Sequence, residues 1–504
     1  MSRTTLLAVA GAMAALCALA FILYAGHPVQ AHLVHSDALY LPVLFEDVLR
    51  RGGGLGDWFL TPAPYFFPDF LLYLPAWLGG GGVTGQTTLF ALLQTVTMTG
   101  ALFLVARKAL PDASLAATAA LVPLLIWLGL HADDPFVRLF SSAHHYGAFI
   151  AALLLTALWL GLDDSRRRRP AQAAVASLVY LATLSDALFL VQAVMPLLAA
   201  ALLCRRGAGP VSAPRGAALL LLAPALLAMV SYRFVVAHPT RYPARLGLGK
   251  LSANLAESGN IFATLFGQRP LLAAALLLAL LAGLACIAAC LRRDIRLTLP
   301  RQLQLLLAFA TLSCAATMAV MLLSTTVQPV PRYLITSVSA LLVSGWLALA
   351  WWLGQRLGLA AAGLALVFSS LLMLDAWQLR GQHTTPSYFY PDQLACIDQA
   401  LEASEGRHGI AQYWDAKRVQ GLSRHQLTVA QYTAELAPME WITSQRFFAA
   451  GYDFAIIANQ EAPPFRLPRE QLIAFNGEPL RTVDCGDRSV LLYPRGRLRI
   501  PPPP

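Results

Sequence analysis

An acidic and aromatic segment separates the first two apolar stretches of this chain, and its carboxylates are the strongest candidates for chemistry. Asp37 comes soon after the first stretch, and the aromatic run Tyr65-Phe66-Phe67 lies further along the segment. Aromatic rings favour the membrane–water interface, where a carboxylate can take a proton from the hydroxyl of a membrane-held substrate. We therefore interpret Asp37 as a general base. The alternative is that Asp37 caps a helix predicted over 37–48, because aspartate is favoured at helix N-termini.

Three further acidic residues are secondary candidates. Asp47 and Asp69 lie in the same segment as Asp37, and their simpler interpretation is as solvated loop residues, since aspartate is mostly exposed in proteins. Asp186 lies between two apolar half-spans. Ionisable groups at membrane depth are usually functional or paired; the alternative places Asp186 at the membrane surface as the cap of the next helix.

Basic residues later in the chain predict binding of a phosphate. Arg332 and Tyr333 follow a Pro-Val-Pro turn. A guanidinium stays charged and its fork of donors matches phosphate oxygens, which favours Arg332 as a phosphate ligand. The alternative is an arginine that reaches from a helix end into water. Arg241 and Arg245 form a second basic patch, which either holds a pyrophosphate or faces anionic lipid headgroups.

The pair Asp133-Asp134, with His144 shortly after it, predicts either a metal site or an acceptor site. Carboxylates are the ligands that hard divalent cations such as Mg²⁺ and Mn²⁺ prefer. His144 can join such an ion or bind the acceptor. The residues leave these two alternatives open.

The elements that position these residues are membrane helices. The chain has 504 residues, of which 57% are hydrophobic and 13% charged, a composition typical of a polytopic membrane protein. A spanning helix takes about 20 apolar residues, and we count about eleven such runs. They lie at 6–25, 88–106, 115–130, 142–162, 171–184, 187–203, 217–236, 271–291, 303–323, 334–353 and 357–374.

The net charge of +10 is explained by topology and not by nucleic-acid binding, which we exclude. Lysine and arginine are concentrated in short loops, such as Arg107-Lys108 and the run Arg166 to Arg169. Basic loops stay on the cytoplasmic side of a membrane. We therefore predict that the N-terminus lies inside and, with an odd number of spans, that the C-terminal region lies outside.

The composition changes near residue 375 and divides the chain into two predicted domains. Residues 1–375 form an all-α membrane domain whose first outer loop covers 26–87, and residues 376–504 form a small extracytoplasmic α/β domain with a proline tail. Cys396 and Cys485 both lie in this outer domain. Because an envelope compartment is oxidising, we predict that they form a disulfide.

This order of elements resembles the GT-C superfamily, the integral-membrane glycosyltransferases that use polyprenyl-phosphate-linked sugars. In that superfamily the first outer loop carries an essential aspartate, which Asp37 matches. Acidic residues of the second outer loop bind metal or acceptor, as Asp133 and Asp134 would do. Arg332-Tyr333 resembles the Arg-Tyr of the late outer loops, where the arginine faces a phosphate.

The resemblance implies transfer of a sugar from a polyprenyl phosphate to a glycan, lipid or protein acceptor, at the outer face of a bacterial inner membrane. The cofactor would be a divalent metal, Mg²⁺ or Mn²⁺, if Asp133 and Asp134 bind metal, and there would be none if they bind the acceptor. The chain departs from the family pattern, because Asp37 is not part of an Asp-Glu pair and Asp133-Asp134 is not Asp-x-Asp. Two alternatives are a transporter or flippase of lipid-linked glycans and a non-catalytic envelope assembly protein. A transporter would carry its polar residues at the bilayer midplane.

Overall fold

A computed structural model of the protein describes residues 1–26, 28–132, 134–162, 168–204, 216–240, 245–292, 297–380, 389–460 and 466–501. Of the sequence predictions, Asp133, Arg241 and part of the arginine run at 166–169 lie outside these residues. The fold consists of a helical membrane part and a smaller α/β part at the C-terminal end.

The membrane part is built from helices, several of which are long and apolar. They are α1 (Arg3–Tyr24), α2 (Gln30–Leu33), α3 (Tyr40–Leu49), α4 (Leu71–Gly79), α5 (Val83–Ala109), α6 (Ser114–His131), α7 (Tyr146–Leu160), α8 (Arg168–Ser185), α9 (Met195–Leu203), α10 (Ala217–Val235), α11 (Leu251–Gly267), α12 (Pro270–Leu291), α13 (Arg301–Leu323), α14 (Ile335–Leu353) and α15 (Leu357–Leu379). Seven helical segments within the described ranges are long and apolar enough to cross a membrane.

The apolar runs of the sequence coincide with these helices. Two predicted spans are shorter in the structure, at Tyr146–Leu160 and Leu190–Leu203, so the number of spans and their orientation stay predictions. The half-helices predicted around Asp186 are present, since α8 ends at Ser185 and a new helical segment begins at Leu190. Helix α11 was not predicted, because its mixed polar and apolar sequence falls in the region assigned to an outer loop.

Helices α1 and α15 run side by side in the same direction. Gly11 of α1 packs against Ala365, and Ser369 donates a hydrogen bond of 2.6 Å to the Gly11 carbonyl; nearer the helix starts, Thr4 lies against Gly358. Small residues let membrane helices approach this closely. As a result, the loop that follows α1 and the C-terminal part that follows α15 emerge at the same end of the helix bundle.

The C-terminal part has three helices and a five-stranded sheet. The helices are α16 (Asp392–Ser404), α17 (Tyr413–Leu422) and α18 (Arg469–Asn476). The strands are β3 (His408–Ala411), β4 (Thr428–Gln431), β6 (Phe454–Ala458), β7 (Arg481–Cys485) and β8 (Arg488–Leu492), in the order β4-β3-β6-β8-β7. Strand β3 is parallel to β4 and β6, while β8 is antiparallel to β6 and β7. This agrees with the α/β class predicted for the region, although its sequence pattern does not predict α17 or β7.

A second, small sheet joins the first loop to the C-terminal part. It contains β1 (Trp58–Leu60), β2 (His238–Pro239) and β5 (Thr443–Ser444), with β1 in the middle. Strand β1 pairs with β5 in the antiparallel direction, with Trp58 opposite Ser444. The sequence pattern predicts a helix around 441–449, and that prediction is wrong, because residues 443–444 form this strand and Gln445–Phe447 a short 3₁₀ helix.

Cys396 of α16 and Cys485 of β7 form a disulfide that closes a sequence separation of 89 residues. In the chain-entropy description, a loop of that length stabilises the folded domain by about 4–5 kcal/mol. We expect the Cys396→Ser/Cys485→Ser variant to lose its thermal transition in the C-terminal domain or to melt at clearly lower temperature. Mass analysis of alkylated protein with and without reductant checks the bond; two free thiols before reduction would contradict it.

Candidate functional site

Asp37 and Arg332 form an ion pair, although they are separated by 295 residues in the sequence. The distance from Arg332 Nη1 to Asp37 Oδ2 is 3.0 Å. Asp37 is 8% exposed and lies three residues before α3. Arg332 is in the 3₁₀ turn Pro331–Leu334, which leads into α14. The packing of the bundle therefore brings the predicted base and the predicted phosphate ligand into direct contact.

The second oxygen of Asp37 accepts a hydrogen bond from the hydroxyl of Tyr413, the first residue of α17. The capping alternative for Asp37 is wrong, because α3 begins after Leu39 and has no side-chain cap. The helix predicted over 37–48 is present as α3 (Tyr40–Leu49), and most of its side chains are buried. Both carboxylate oxygens are thus held by donors from distant parts of the chain.

The surroundings of Asp37 keep its carboxylate charged. Burial raises the pKa of Asp37, but the positive charge of Arg332 and the hydrogen bond from Tyr413 outweigh burial and lower the pKa below its usual value. Nearby, burial lowers the pKa of Lys417 to about 7. Asp37 is therefore ionised at neutral pH and can accept a hydrogen bond from a hydroxyl group that reaches it.

A second polar group borders Asp37 and contains His35, Arg138 and His144. Arg138 Nη1 lies 2.7 Å from His35 Nε2 and 3.3 Å from His144 Nε2. Asp134 holds the same guanidinium at two atoms, with Oδ1 2.5 Å from Nε and Oδ2 2.8 Å from Nη2. Burial lowers the pKa of His35 to about 4, so its ring is neutral at pH 7.

His35, Asp37 and His144 each offer one metal-ligand atom, all within 4.8 Å of one another. These residues do not fit a divalent cation as they stand. The guanidinium of Arg138 already occupies the space that faces both imidazoles, and a cation there would meet its charge. The metal predicted at Asp133 and Asp134 stays a prediction, because Asp133 lies outside the described residues and Asp134 is committed to Arg138.

His145 and Asp186 form a separate buried pair. The distance from His145 Nδ1 to Asp186 Oδ2 is 2.6 Å, and Asp186 Oδ1 also accepts from the backbone N–H of Leu188 at 3.0 Å. Asp186 is therefore paired, as one of the two interpretations predicted. Its bond to Leu188 lies in the turn before the helical segment that begins at Leu190, and that segment has no side-chain cap. The ring of Tyr333 lies 5.5 Å from that of His145, which connects this pair to the segment of Arg332.

The backbone around the His145–Asp186 pair is strained. Tyr65, Ala143 and His145 have φ angles of 57°, 61° and 65°, in the left-handed region that residues other than glycine rarely adopt. Such conformations persist only where the surrounding structure holds them, and they cluster at functional sites. These positive φ angles therefore point to a functional role for the junction between the first loop and the start of α7.

Asp47 and Asp69 are not solvated, so that interpretation is wrong for both. They are 3% and 2% exposed. Asp47 Oδ1 lies 3.3 Å from Arg446 Nη1, and Asp47 Oδ2 accepts from the indole N–H of Trp58 at 2.9 Å. Asp69 Oδ1 accepts from the backbone N–H of Ala143 at 3.3 Å. Asp47 thus joins the first loop to the C-terminal part.

The pH dependence of stability should report on Asp69, because burial raises its pKa to about 7. Folded protein then keeps a proton that the unfolded chain releases from about pH 4 upwards, so stability falls as the pH rises from 4 to 7. We expect Asp69→Asn, which resembles the neutral acid, to melt several degrees above wild type at pH 8 and closest to it below about pH 4, where the unfolded chain also keeps the proton. Equal pH dependence of the two melting temperatures would contradict this.

Arg245 is the one member of its predicted basic patch that the structure describes, and it is exposed. Its backbone pairs with Thr325 and Thr326. Within the described ranges it makes no ion pair with Asp37, Asp134 or Asp186. The structure therefore does not bring Arg245 into the Asp37 centre.

The sequence interpretation missed Tyr413, Arg138 and Lys417. The spacing of Asp134 and Arg138, four residues apart, is a signal of an ion pair that was available in the sequence. No local signal relates Tyr413 or Lys417 to Asp37. The neighbouring Asp415 is a buried partner of Arg488, at 2.8 Å.

The overall fold is similar to that of two solved structures of ArnT from Cupriavidus metallidurans. In the structure bound to undecaprenyl phosphate, ArnT is 13% identical, with a TM-score of 0.53, and the match covers 96% of this chain and 97% of that one. The apo structure is also 13% identical, with a TM-score of 0.51 and coverage of 90% and 92%. No family model matches the sequence, and no curated protein matches it. The chain therefore shares the fold of ArnT over nearly its whole length, and several of its helices are long and apolar enough to span a membrane.

Proposed function

We propose that this chain, which has the GT-C fold, is a glycosyltransferase that moves a sugar from a polyprenyl phosphate to a hydroxyl of a glycan, lipid or protein. The observation that carries the proposal is the ion pair between Asp37 and Arg332. It places a charged base beside a guanidinium that stays protonated and suits a phosphate. The binding of undecaprenyl phosphate by ArnT, to which the fold is similar, supports a lipid of this class as the donor.

The proposed reaction is a direct displacement at the anomeric carbon. The acceptor hydroxyl donates its hydrogen bond to Asp37 and passes its proton to that carboxylate as its oxygen bonds to the anomeric carbon. The bond between that carbon and the phosphate oxygen breaks, and its electron pair stays on the lipid phosphate. Donors aimed at a charge that grows in the transition state lower its energy, and this is the role of the Arg332 N–H groups that do not face Asp37.

The low pKa of Asp37 limits how strongly it can pull the proton. Its contribution then rests on position and charge, because an ionised carboxylate fixed at two oxygens aligns the hydroxyl with the anomeric carbon. The proton transfer need only be complete as the phosphate leaves, when the acceptor oxygen becomes a strong acid. No step of this proposal is assigned to a metal.

The site would lie on the outer face of the inner membrane. Asp37, Arg332 and Tyr413 meet at the end of the bundle from which the C-terminal part emerges, and the basic loops of the sequence favour an extracytoplasmic position for that end. Donor lipids would enter from the bilayer, and the C-terminal α/β part would contribute to acceptor choice.

The alternative functions make different demands. A flippase of lipid-linked glycans would place its charged residues at the bilayer midplane, whereas Asp37, Asp134 and their arginines lie in connecting segments between helices. A non-catalytic assembly protein would not need a buried, charged carboxylate held beside a guanidinium. Both observations favour an enzyme.

The test uses the full-length protein in vesicles with a polyprenyl-phosphate sugar in one leaflet only. Transfer of labelled sugar to an acceptor in the compartment that the C-terminal part faces, with donor staying in its leaflet, supports the proposal. Movement of donor between leaflets without transfer would establish the flippase. In parallel, undecaprenyl phosphate alone should raise the melting temperature of the protein, since a ligand that binds the folded state stabilises it.

A further inference from the structure

We propose that Tyr413 of the C-terminal part is a positioning residue for the Asp37 carboxylate, so that the reaction centre is complete only when α17 is docked on the membrane part. This inference rests on the proposed function. It adds a role for the C-terminal part that acceptor selection does not require.

Each oxygen of Asp37 is bound by one donor. Arg332 takes Oδ2 and the hydroxyl of Tyr413 takes Oδ1. Two donors on different oxygens fix both the position and the plane of a carboxylate. Arg332 alone would leave the plane free to rotate, and the lone pair offered to a substrate hydroxyl would turn with it.

Tyr413 is itself held in place by the C-terminal part. It is 6% exposed. Lys417, one turn further along α17, places its ammonium 4.1 Å from the centre of the tyrosine ring. The same ammonium donates to the side-chain oxygen of Gln431 on β4 at 3.0 Å. Since Lys417 is 3% exposed, this contact is shielded from water, and the protonated form of Lys417 attracts the aromatic face of Tyr413 most strongly in such surroundings.

Helix α17 is also fixed at both of its surfaces. On the sheet side, Asp415 pairs with Arg488 of β8 at 2.8 Å, and both are buried. On the membrane side, the hydroxyl of Ser36 donates to the carbonyl oxygen of Trp414 at 2.7 Å. Two consecutive residues of the first loop, Ser36 and Asp37, thus bind two consecutive residues at the start of α17. A shift of the C-terminal part would disturb the carboxylate directly.

Replacing Tyr413 by Phe should change the pH dependence of transfer. The groups that face Asp37 are Arg332, His35 and Lys417, with Tyr413 as hydrogen-bond donor. That hydrogen bond lowers the pKa of Asp37, so its removal raises the pKa. The low-pH limb of the rate profile should therefore move to higher pH, by about one unit for the loss of one hydrogen bond to a charged group.

The experiment compares Tyr413→Phe with Tyr432→Phe in the full-length protein. Tyr432 is a matched control, because its hydroxyl pairs with that of Tyr452 at 2.8 Å inside the same part of the chain. We expect Tyr413→Phe to lower kcat by about 10-fold or more, to shift the low-pH limb, and to leave binding of undecaprenyl phosphate unchanged. Tyr432→Phe should leave both kcat and the low-pH limb as in wild type. The proposal would be overturned if Tyr413→Phe had the same kcat and the same pH profile as wild type.

A double-mutant cycle with Asp37→Asn separates this inference from the proposed function. If Tyr413 acts through Asp37, adding Tyr413→Phe to Asp37→Asn lowers residual transfer no further. The same cycle on melting temperature needs no transfer assay. Coupling there supports the inferred contact even if wild-type protein transfers no sugar, a result that would count against the proposed function alone. Additive effects in both cycles would overturn the inference.

Discussion

Asp37→Asn is expected to lower sugar transfer by about 10²–10⁴-fold, the usual contribution of a positioned base. Asparagine keeps the shape of the side chain and can still accept a hydrogen bond, but it cannot take the acceptor proton. The measurement is the single-turnover rate of labelled sugar transfer with donor and acceptor both saturating, so that weaker binding does not contribute to the result.

Asp47→Asn is the matched control for that variant. Asp47 is also a buried aspartate of the first loop, and it too is held by an arginine and by an aromatic hydrogen-bond donor, Arg446 and Trp58. Both variants remove the charge of an ion pair, and both should lower the melting temperature. Only Asp37→Asn should lower transfer by about 10²-fold or more. Equal loss of transfer in the two would reduce Asp37 to a structural residue.

Arg332→Gln is expected to have the second-largest effect, a loss of about 10²–10³-fold in transfer, as for removal of one donor to a developing negative charge. The variant should also bind undecaprenyl phosphate more weakly. Arg332 lowers the pKa of Asp37, so its loss raises that pKa. As the pH is lowered, the remaining activity of the variant should therefore be lost at a higher pH than the activity of wild type. The rate at several pH values and the lipid-induced rise in melting temperature check the two effects.

Two comparisons make the Arg332 result specific. Arg332→Lys keeps the charge but not the planar fork, and it should recover only part of the activity, since the two cations are not equivalent at a bidentate site. Arg446→Gln is the matched control, because it breaks an ion pair of similar geometry. The Arg446 side chain is 39% exposed and the Arg332 side chain 33%. Normal lipid binding by Arg332→Gln would contradict its assignment to the phosphate.

Asp37 and Asp47, two of the buried aspartates of the first loop, show how one segment serves two purposes. Asp47 pairs with Arg446 next to the small sheet that joins β1 to β5, which attaches the C-terminal part to the membrane part. Asp37 uses the same kind of pairing at the centre itself. The attachment and the centre therefore share one loop.

The sequence by itself determined the membrane helices, because a spanning helix must be a long apolar run whatever surrounds it. It also identified Asp37 and Arg332 as chemically suited groups and paired Cys396 with Cys485. Only the tertiary structure decided which groups meet. Asp37 finds its partners 295 and 376 residues away, and local periodicity carries no information about such contacts. The burial of Asp47 and Asp69 was hidden for the same reason, since the side chains that cover them come from other parts of the chain.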